Sequence, residues 1–181
     1  MGSGEFPEGF ETLMEPRLPN PLQKFIHRIL MMRLVSAFLA VSLHHVDFLM
    51  LKISRGRHTI TEIVGLPILL LTTLGARTGR SRTNPLVSLY DGNKIALIGS
   101  NFGSRRNPGW YYNLLANPRC IVRFNGRVAE YIARLAQGGE REKYWQLALA
   151  YYRGYERYKS RAAPHRVIPV MVLEPVAELG E

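Results

Sequence analysis

The chain has 181 residues, 46% of them hydrophobic, which suits one globular domain with a sizeable core. Its 24 Lys and Arg against 14 Asp and Glu leave a formal net charge of +10, pointing to acidic partners: nucleic acid, anionic lipid or a polyanionic cofactor. No zinc-finger spacing, RNP-like motif or helix-turn-helix accompanies that charge, so nucleic acid ranks low, and a lone Cys120 excludes an internal disulfide or a cysteine metal cluster.

Met1 to Phe6, MGSGEF, reads as a cloning scar. Residues 7–21, with prolines at 7, 16, 19 and 21, read as an extended lead-in, and residues 22–181 as a single domain. Leu22 to Ile53 is apolar and almost free of breakers. Phe25, Ile29, Met32, Leu39, Leu43, Val46 and Met50 recur on one helical face. Between Arg33 and His44 the apolar run is ten residues, half of what a membrane span needs. Two placements stay open for this helix. It packs on the domain as core, or it lies in a membrane interface with Lys24, Arg28 and Arg33 on its polar side. His44 and His45 are adjacent and diverge on a helix, and His27, His58 and His165 show no ligand spacing, so no metal site is expected.

Pro67 to Leu74 is an apolar run of strand length, followed by a tight basic loop through Gly75, Arg77, Gly79, Arg80 and Arg82. Thr83 to Tyr90 turns at Asp91-Gly92-Asn93 into Lys94 to Ser100, a hairpin signal. A second basic loop, Asn101 to Arg106, feeds Asn107-Pro108, a cap residue with proline behind it, and a short helix to Ala116. Arg119 to Phe124 and Arg127 to Leu135 pair across Asn125-Gly126. Gly138 to Arg153 reads as helix, and Arg166 to Val176 as a last strand whose Pro169 and Pro175 mark an edge or bulge. Six short strands joined by hairpins, with helices between and at the ends, predict an α+β fold built on a mostly antiparallel barrel.

Arg77, Arg80, Arg82, Arg105 and Arg106 lie on two glycine-bearing loops with Asp91 the one acid among them. Glycine admits a ligand close to backbone N–H groups, and arginine forks onto phosphate or carboxylate oxygens. The pattern predicts a site for a small, multiply charged anion; two solvated turns are the plain alternative. Gly75 and Gly79 have the wrong spacing for a dinucleotide fingerprint or a Walker loop. Tyr152, Tyr155 and Tyr158 recur every three residues and, on one continuous helix, form a loose aromatic stripe. The stripe either covers the barrel or walls a substrate, with one phenol giving up a proton.

The ordered pieces LLLTT-x-G-x-x-TG-x-x-R-x-NPL at Leu69 to Leu86 and GS-x-x-G-x-x-x-NP-x-WY-x-NL-x-ANP at Gly99 to Pro118, followed by the three tyrosines and IPVMVLEPV, resemble the deazaflavin-dependent nitroreductase family over roughly residues 45 to 176. The resemblance implies a split β-barrel and hydride transfer from reduced coenzyme F420 to an electron-poor double bond, quinone or nitro group. It implies that Arg77, Thr78, Gly79 and Arg82 hold the phosphate and acidic tail, and that Asn84, Pro85 and Leu86 line the ring. Gly103, Asn107, Trp110, Tyr111 and Asn113 match the second loop and its helix, and with Asn101, Arg105 and Arg106 they complete the expected coenzyme-binding set. Ser100 falls beside ring and substrate, and Tyr152, Tyr155 and Tyr158 complete the expected catalytic set. Two positions depart. Asn101 stands where close relatives often carry lysine, a charge that Arg105 or Arg106 would replace. Val87 stands where nitroimidazole-reducing members carry tyrosine, which speaks against nitro-drug activation but not against coenzyme binding. A non-catalytic deazaflavin or lipid carrier, and a related barrel using FMN, are the alternatives. The expected partner is a small-molecule electron acceptor, the expected state a monomer or homodimer. The expected location is the cytoplasm, with membrane contact through residues 22–53.

Overall fold

The computed structural model describes residues 67–124 and 127–178. The expected helix at residues 22–53 and the lead-in before it lie outside the described residues. Six strands, β1 (Ile68–Leu74), β2 (Ser81–Asp91), β3 (Lys94–Ile98), β4 (Arg119–Phe124), β5 (Arg127–Leu135) and β6 (Val170–Glu178), close a barrel in the order β1-β2-β3-β6-β5-β4. Every neighbouring pair is antiparallel. Three helices flank it: α1 (Gly109–Ala116), α2 (Gly138–Tyr151) and α3 (Gly154–Ala162). The split-barrel α+β architecture expected from the sequence is the one observed.

The period of two along a strand sorts the side chains into two cores. Ile95 and Leu97 point into the barrel with Leu71, Tyr131 and Leu173, where Trp110 and Leu114 of α1 join them. Ala96 and Ile98 point outward with Leu89, Val170 and Val172, and α2 and α3 cover them. Helix α1 therefore plugs the barrel, whereas α2 and α3 form an outer layer. Full burial of each such aliphatic side chain stabilises the fold by about 1.5–3 kcal/mol.

Four local expectations are corrected. The helix expected from Asn107 starts at Gly109, with Pro108 extended at its N-cap, because the Asn107 side chain is engaged elsewhere: its Oδ1 accepts from Arg166 Nη1 at 2.6 Å. The helix expected to run on through Arg153 ends at Tyr151. Tyr152 is extended (φ −149°, ψ 101°), and a new helix begins at Gly154. A Cβ on Gly154 would overlap the Tyr152 ring, so the corner between α2 and α3 closes over a residue without a side chain. Strand β3 ends at Ile98 rather than Ser100, since Gly99 N–H turns to donate to Pro169 O. The last strand begins at Val170 rather than Arg166; Arg166 N–H still donates to Ala162 O, in the turn that ends α3. Pro175 does sit at an irregularity. Tyr131 faces Pro175 while Glu130 faces Ala177, leaving Val176 as the extra residue of a bulge.

Strand β2 is shared unequally. Ser81 to Val87 pair with β1, and Ser88 to Asp91 pair with β3. Ser88 N–H donates to Pro67 O on the β1 side. By alternation the backbone groups of Thr83 and Pro85 then face the opposite edge, which no described strand covers. Proline, with no N–H to lose, suits that edge.

Candidate active site

The open half-edge of β2 is where the predicted residues gather. The loop Gly75–Arg80 stands at its start, and the loop that follows β3 stands where β2 passes to β3, with Ser88 opposite Leu97. From Arg82 to Val87 the strand advances about 17 Å at the usual rise per residue. The arginines therefore belong to two stations rather than one cluster: Arg77, Arg80 and Arg82 at the start, Arg105 and Arg106 on the loop leaving the far end. Such a frame fits an elongated anion better than the compact one expected from composition.

The first loop is shaped by its own backbone. Thr78 and Gly79 N–H groups both donate to Gly75 O, at 3.1 and 2.7 Å, and Gly75 N–H donates to Arg80 O at 2.9 Å. Arg77, Thr78, Gly79, Arg80 and Arg82 are exposed. Among the described residues no ion pair engages Arg77, Arg80 or Arg82. Among the described residues nothing lies within 4 Å of where a Cβ on Gly79 would stand, so none of them fills the space in front of the loop. Guanidinium groups that no described carboxylate engages are a donor set suited to phosphate or carboxylate oxygens.

Asn113 joins the two loops. Its Oδ1 accepts from Ala76 N–H at 3.0 Å and its Nδ2 donates to the buried Thr73 Oγ1 at 3.0 Å. The helix fed by the second loop thereby clamps the first. Trp110 is buried in the barrel core, and Tyr111 is half-buried against it. Asn84, Pro85 and Leu86 are partly exposed along β2, with Asn84 and Leu86 on the barrel-facing side and Pro85 on the other.

The second loop is held from three directions. Asn101 and Phe102 both adopt left-handed backbone, φ 45° and 53°, and Asn101 Nδ2 donates to Arg106 O at 2.9 Å. Gly103, φ +77°, packs so closely on α3 that a Cβ would stand 2.9 Å from Tyr158 O; its space is filled by protein. Ser100 O accepts from Gly103 N–H at 2.9 Å and from Arg166 Nη2 at 2.6 Å. Among the described residues nothing engages the Ser100 hydroxyl.

The tyrosines form a corner, not a helical stripe. Tyr152 and Tyr155 rings meet edge to face at 5.6 Å, Tyr155 and Tyr158 at 6.0 Å, and the Tyr152 and Tyr158 hydroxyls lie 3.4 Å apart. Phe102 of the second loop stacks edge-on to Tyr158 at 5.9 Å. Burial, reinforced by the neighbouring phenol of Tyr158, pushes the Tyr152 hydroxyl well above its ordinary value, and burial does the same to Tyr155. Both phenols stay protonated at neutral pH. Arg166, which sequence reasoning missed, binds mainly backbone carbonyls, and those acceptors leave no residue-type signature.

The family model for F420H(2)-dependent quinone reductase matches residues 45–175. The chain belongs to that family. It is 36% identical over 110 residues to an F420H(2)-dependent quinone reductase of Mycobacterium tuberculosis (strain ATCC 25618 / H37Rv), covering 59% of this chain and 72% of that protein. A solved F420-H2 dependent reductase, FDR-A, is 38% identical, with a TM-score of 0.55, covering 60% of this chain and 94% of the other. A solved domain-swapped dimer is 33% identical, with a TM-score of 0.57 over 71% and 98% of the two chains. A member of the F420H(2)-dependent quinone reductases is an oxidoreductase that uses the reduced deazaflavin; FMN chemistry and a purely carrying role are not favoured. The matched family is named for quinones and not for nitro compounds. Among the described residues, no helix is long and apolar enough to cross a membrane and no group of side chains could hold a metal.

Proposed function

We propose that the protein reduces a quinone with reduced coenzyme F420 bound along the open half-edge of β2. The observation that carries this is the frame itself: two glycine-bearing loops, arginines without ion-pair partners among the described residues, and a strand edge between them. When bound, the deazaflavin supplies the hydride. The chain's own residues bind, orient and shield. Arg77, Thr78, Gly79 and Arg82 take the phosphate and acidic tail. Asn84, Pro85 and Leu86 lie under the ring. Arg105 and Arg106 supply positive charge at the other station, beside Asn101 and Asn107. Asn113 sets the first loop, and Gly103, Trp110 and Tyr111 seat the second loop and its helix.

Ser100, whose hydroxyl no described residue engages, is the donor toward the ring or acceptor. Tyr158, stacked on Phe102, with Tyr152 and Tyr155 behind it, walls the acceptor side. A buried phenol gives up its proton only to a stronger base, and a quinone that has accepted a hydride becomes more basic. In this reading a phenol hydroxyl hydrogen-bonds the acceptor oxygen and relays a proton to it, with solvent replacing the proton that the phenol loses.

Fluorescence titration with coenzyme F420, followed by stopped-flow mixing of the reduced complex with menadione, tests the proposal. Micromolar binding and oxidation faster than in free solution are expected. Absence of binding would refute it, and binding without faster oxidation would leave a carrier. Peripheral contact of residues 22–53 with a bilayer would bring the site to apolar quinones; sedimentation with anionic vesicles, compared with a chain lacking residues 1–53, measures it. Sedimentation velocity decides between monomer and homodimer.

A further inference from the structure

We propose that Arg166 is the positioning residue of the second loop, fixing the backbone that presents Ser100. The inference rests on the coenzyme site placed above. Arg166 follows the turn that ends α3, where its own N–H donates to Ala162 O at 2.9 Å. Its guanidinium then reaches four oxygens: Nε donates to Ser104 O at 2.9 Å, Nη1 to Gly99 O at 3.0 Å and Asn107 Oδ1 at 2.6 Å, and Nη2 to Ser100 O at 2.6 Å. Gly99, Ser100, Ser104 and Asn107 bracket the whole loop, from the end of β3 to the approach to α1. No carboxylate among the described residues faces this cation.

The arrangement needs arginine specifically. Four acceptors spread around a planar fork use four of the five guanidinium N–H groups, whereas lysine offers three hydrogens from a single point. The anchored loop contains two residues with left-handed backbone, Asn101 and Phe102. Such geometry persists only where surrounding contacts over-determine it. Arg166 supplies those contacts from below, while Gly103 and Phe102 are held by α3. The same grip turns the Ser100 carbonyl toward Arg166 and keeps its N–H on Ile98 O at 2.8 Å. The side chain of Ser100 is what remains to face a ligand.

The test compares wild type with Arg166→Lys, Arg166→Met and Asn107→Ala. Backbone amide exchange of the ligand-free proteins reads the loop directly. Arg166→Met is expected to lose protection across residues 99–107 while the barrel strands keep theirs. Coenzyme affinity is expected to fall about tenfold or more, the scale of a lost charge-assisted hydrogen bond. Arg166→Lys is expected to fall between, although it keeps the charge, and Asn107→Ala to lose less. A fourth variant, Arg166→Ala, should lose affinity like Arg166→Met, and added guanidinium should restore part of it. Unchanged loop protection and affinity in Arg166→Met would overturn the inference. Should that variant unfold, Arg166→Lys decides: wild-type protection and affinity there would mean that charge alone suffices. A wild-type protein that fails to bind the coenzyme would refute the proposed function instead, and the exchange pattern would still judge Arg166.

Discussion

Replacing Gly103 by alanine should damage both the fold and the site. Its φ of +77° is in the left-handed region, which costs an L-residue roughly 1–2 kcal/mol. The added Cβ would also stand 2.8 Å from Arg161 Cβ, 2.9 Å from Tyr158 O and 3.1 Å from Tyr158 Cα. Two of these three atoms are helix backbone and cannot step aside, so overpacking adds about 1–3 kcal/mol. Gly92→Ala isolates the first cost. Its φ is +59°, and among the described residues nothing lies within 4 Å of its Cβ position. Urea unfolding of both variants, analysed with the wild-type m value, gives the comparison. Gly103→Ala is expected to lose roughly 2–5 kcal/mol and Gly92→Ala about 1–2. Coenzyme affinity should drop in the first and not in the second, because only Gly103 carries the second loop on α3. Equal losses in the two variants would refute the claim that packing against α3 holds this loop.

Arg77→Glu and Arg82→Glu should each weaken coenzyme binding by about tenfold or more, the loss of one charge-assisted contact at roughly 1.5–3 kcal/mol. Arg123→Glu, exposed on β4, is the control, since Arg141 donates to Ile168 O and lies over the Trp145 ring; titration curves that coincide for all three would remove the first loop from the site. Lys94 first and Arg134 second hold the Glu174 carboxyl below its ordinary range, and Arg134 does the same to Glu140. Depressed folded-state values stabilise the fold above the unfolded carboxylate value of about 4.3, and that contribution disappears as pH falls through the lower folded values. Urea midpoints should therefore fall below pH 4 and fall less steeply in Arg134→Met; because these side chains are partly exposed the effect is modest and shrinks with salt. Burial, with a smaller contribution from Glu130, pushes the Cys120 thiol up to about 12. A thiol reagent should then react with it at neutral pH only after denaturation, and fast labelling of the native protein would contradict its burial.

The barrel was legible because its signals are local. Asp91-Gly92 and Asn125-Gly126 announce hairpins, and alternating runs such as Arg119 to Phe124 announce half-buried strands. The observed pairing of Phe124 with Arg127 follows from the second of these signals. What was not legible depends on partners distant in sequence. Asn107 looks like a helix cap until Arg166, 59 residues on, engages its oxygen. Tyr152, Tyr155 and Tyr158 fit one helical face until Gly154, lying under a ring, breaks the helix between them. The arginines look like one cluster when counted along the chain. The register of β2 against β1 and then β3 divides them. Asn113 was expected among the coenzyme binders, but its side chain is committed to Ala76 and Thr73.

The two cores have different duties, and that separation bears on how such enzymes diversify. Trp110 and Leu114 belong to the barrel interior with the clamp on the first loop, while Tyr152, Tyr155 and Tyr158 belong to the outer helical layer. Under the proposed site, α3 also carries the second loop through Gly103 and Phe102, so drift in the outer layer would reach that loop as well as the acceptor wall. The first loop, clamped by Asn113 from the barrel side, is the part insulated from such drift.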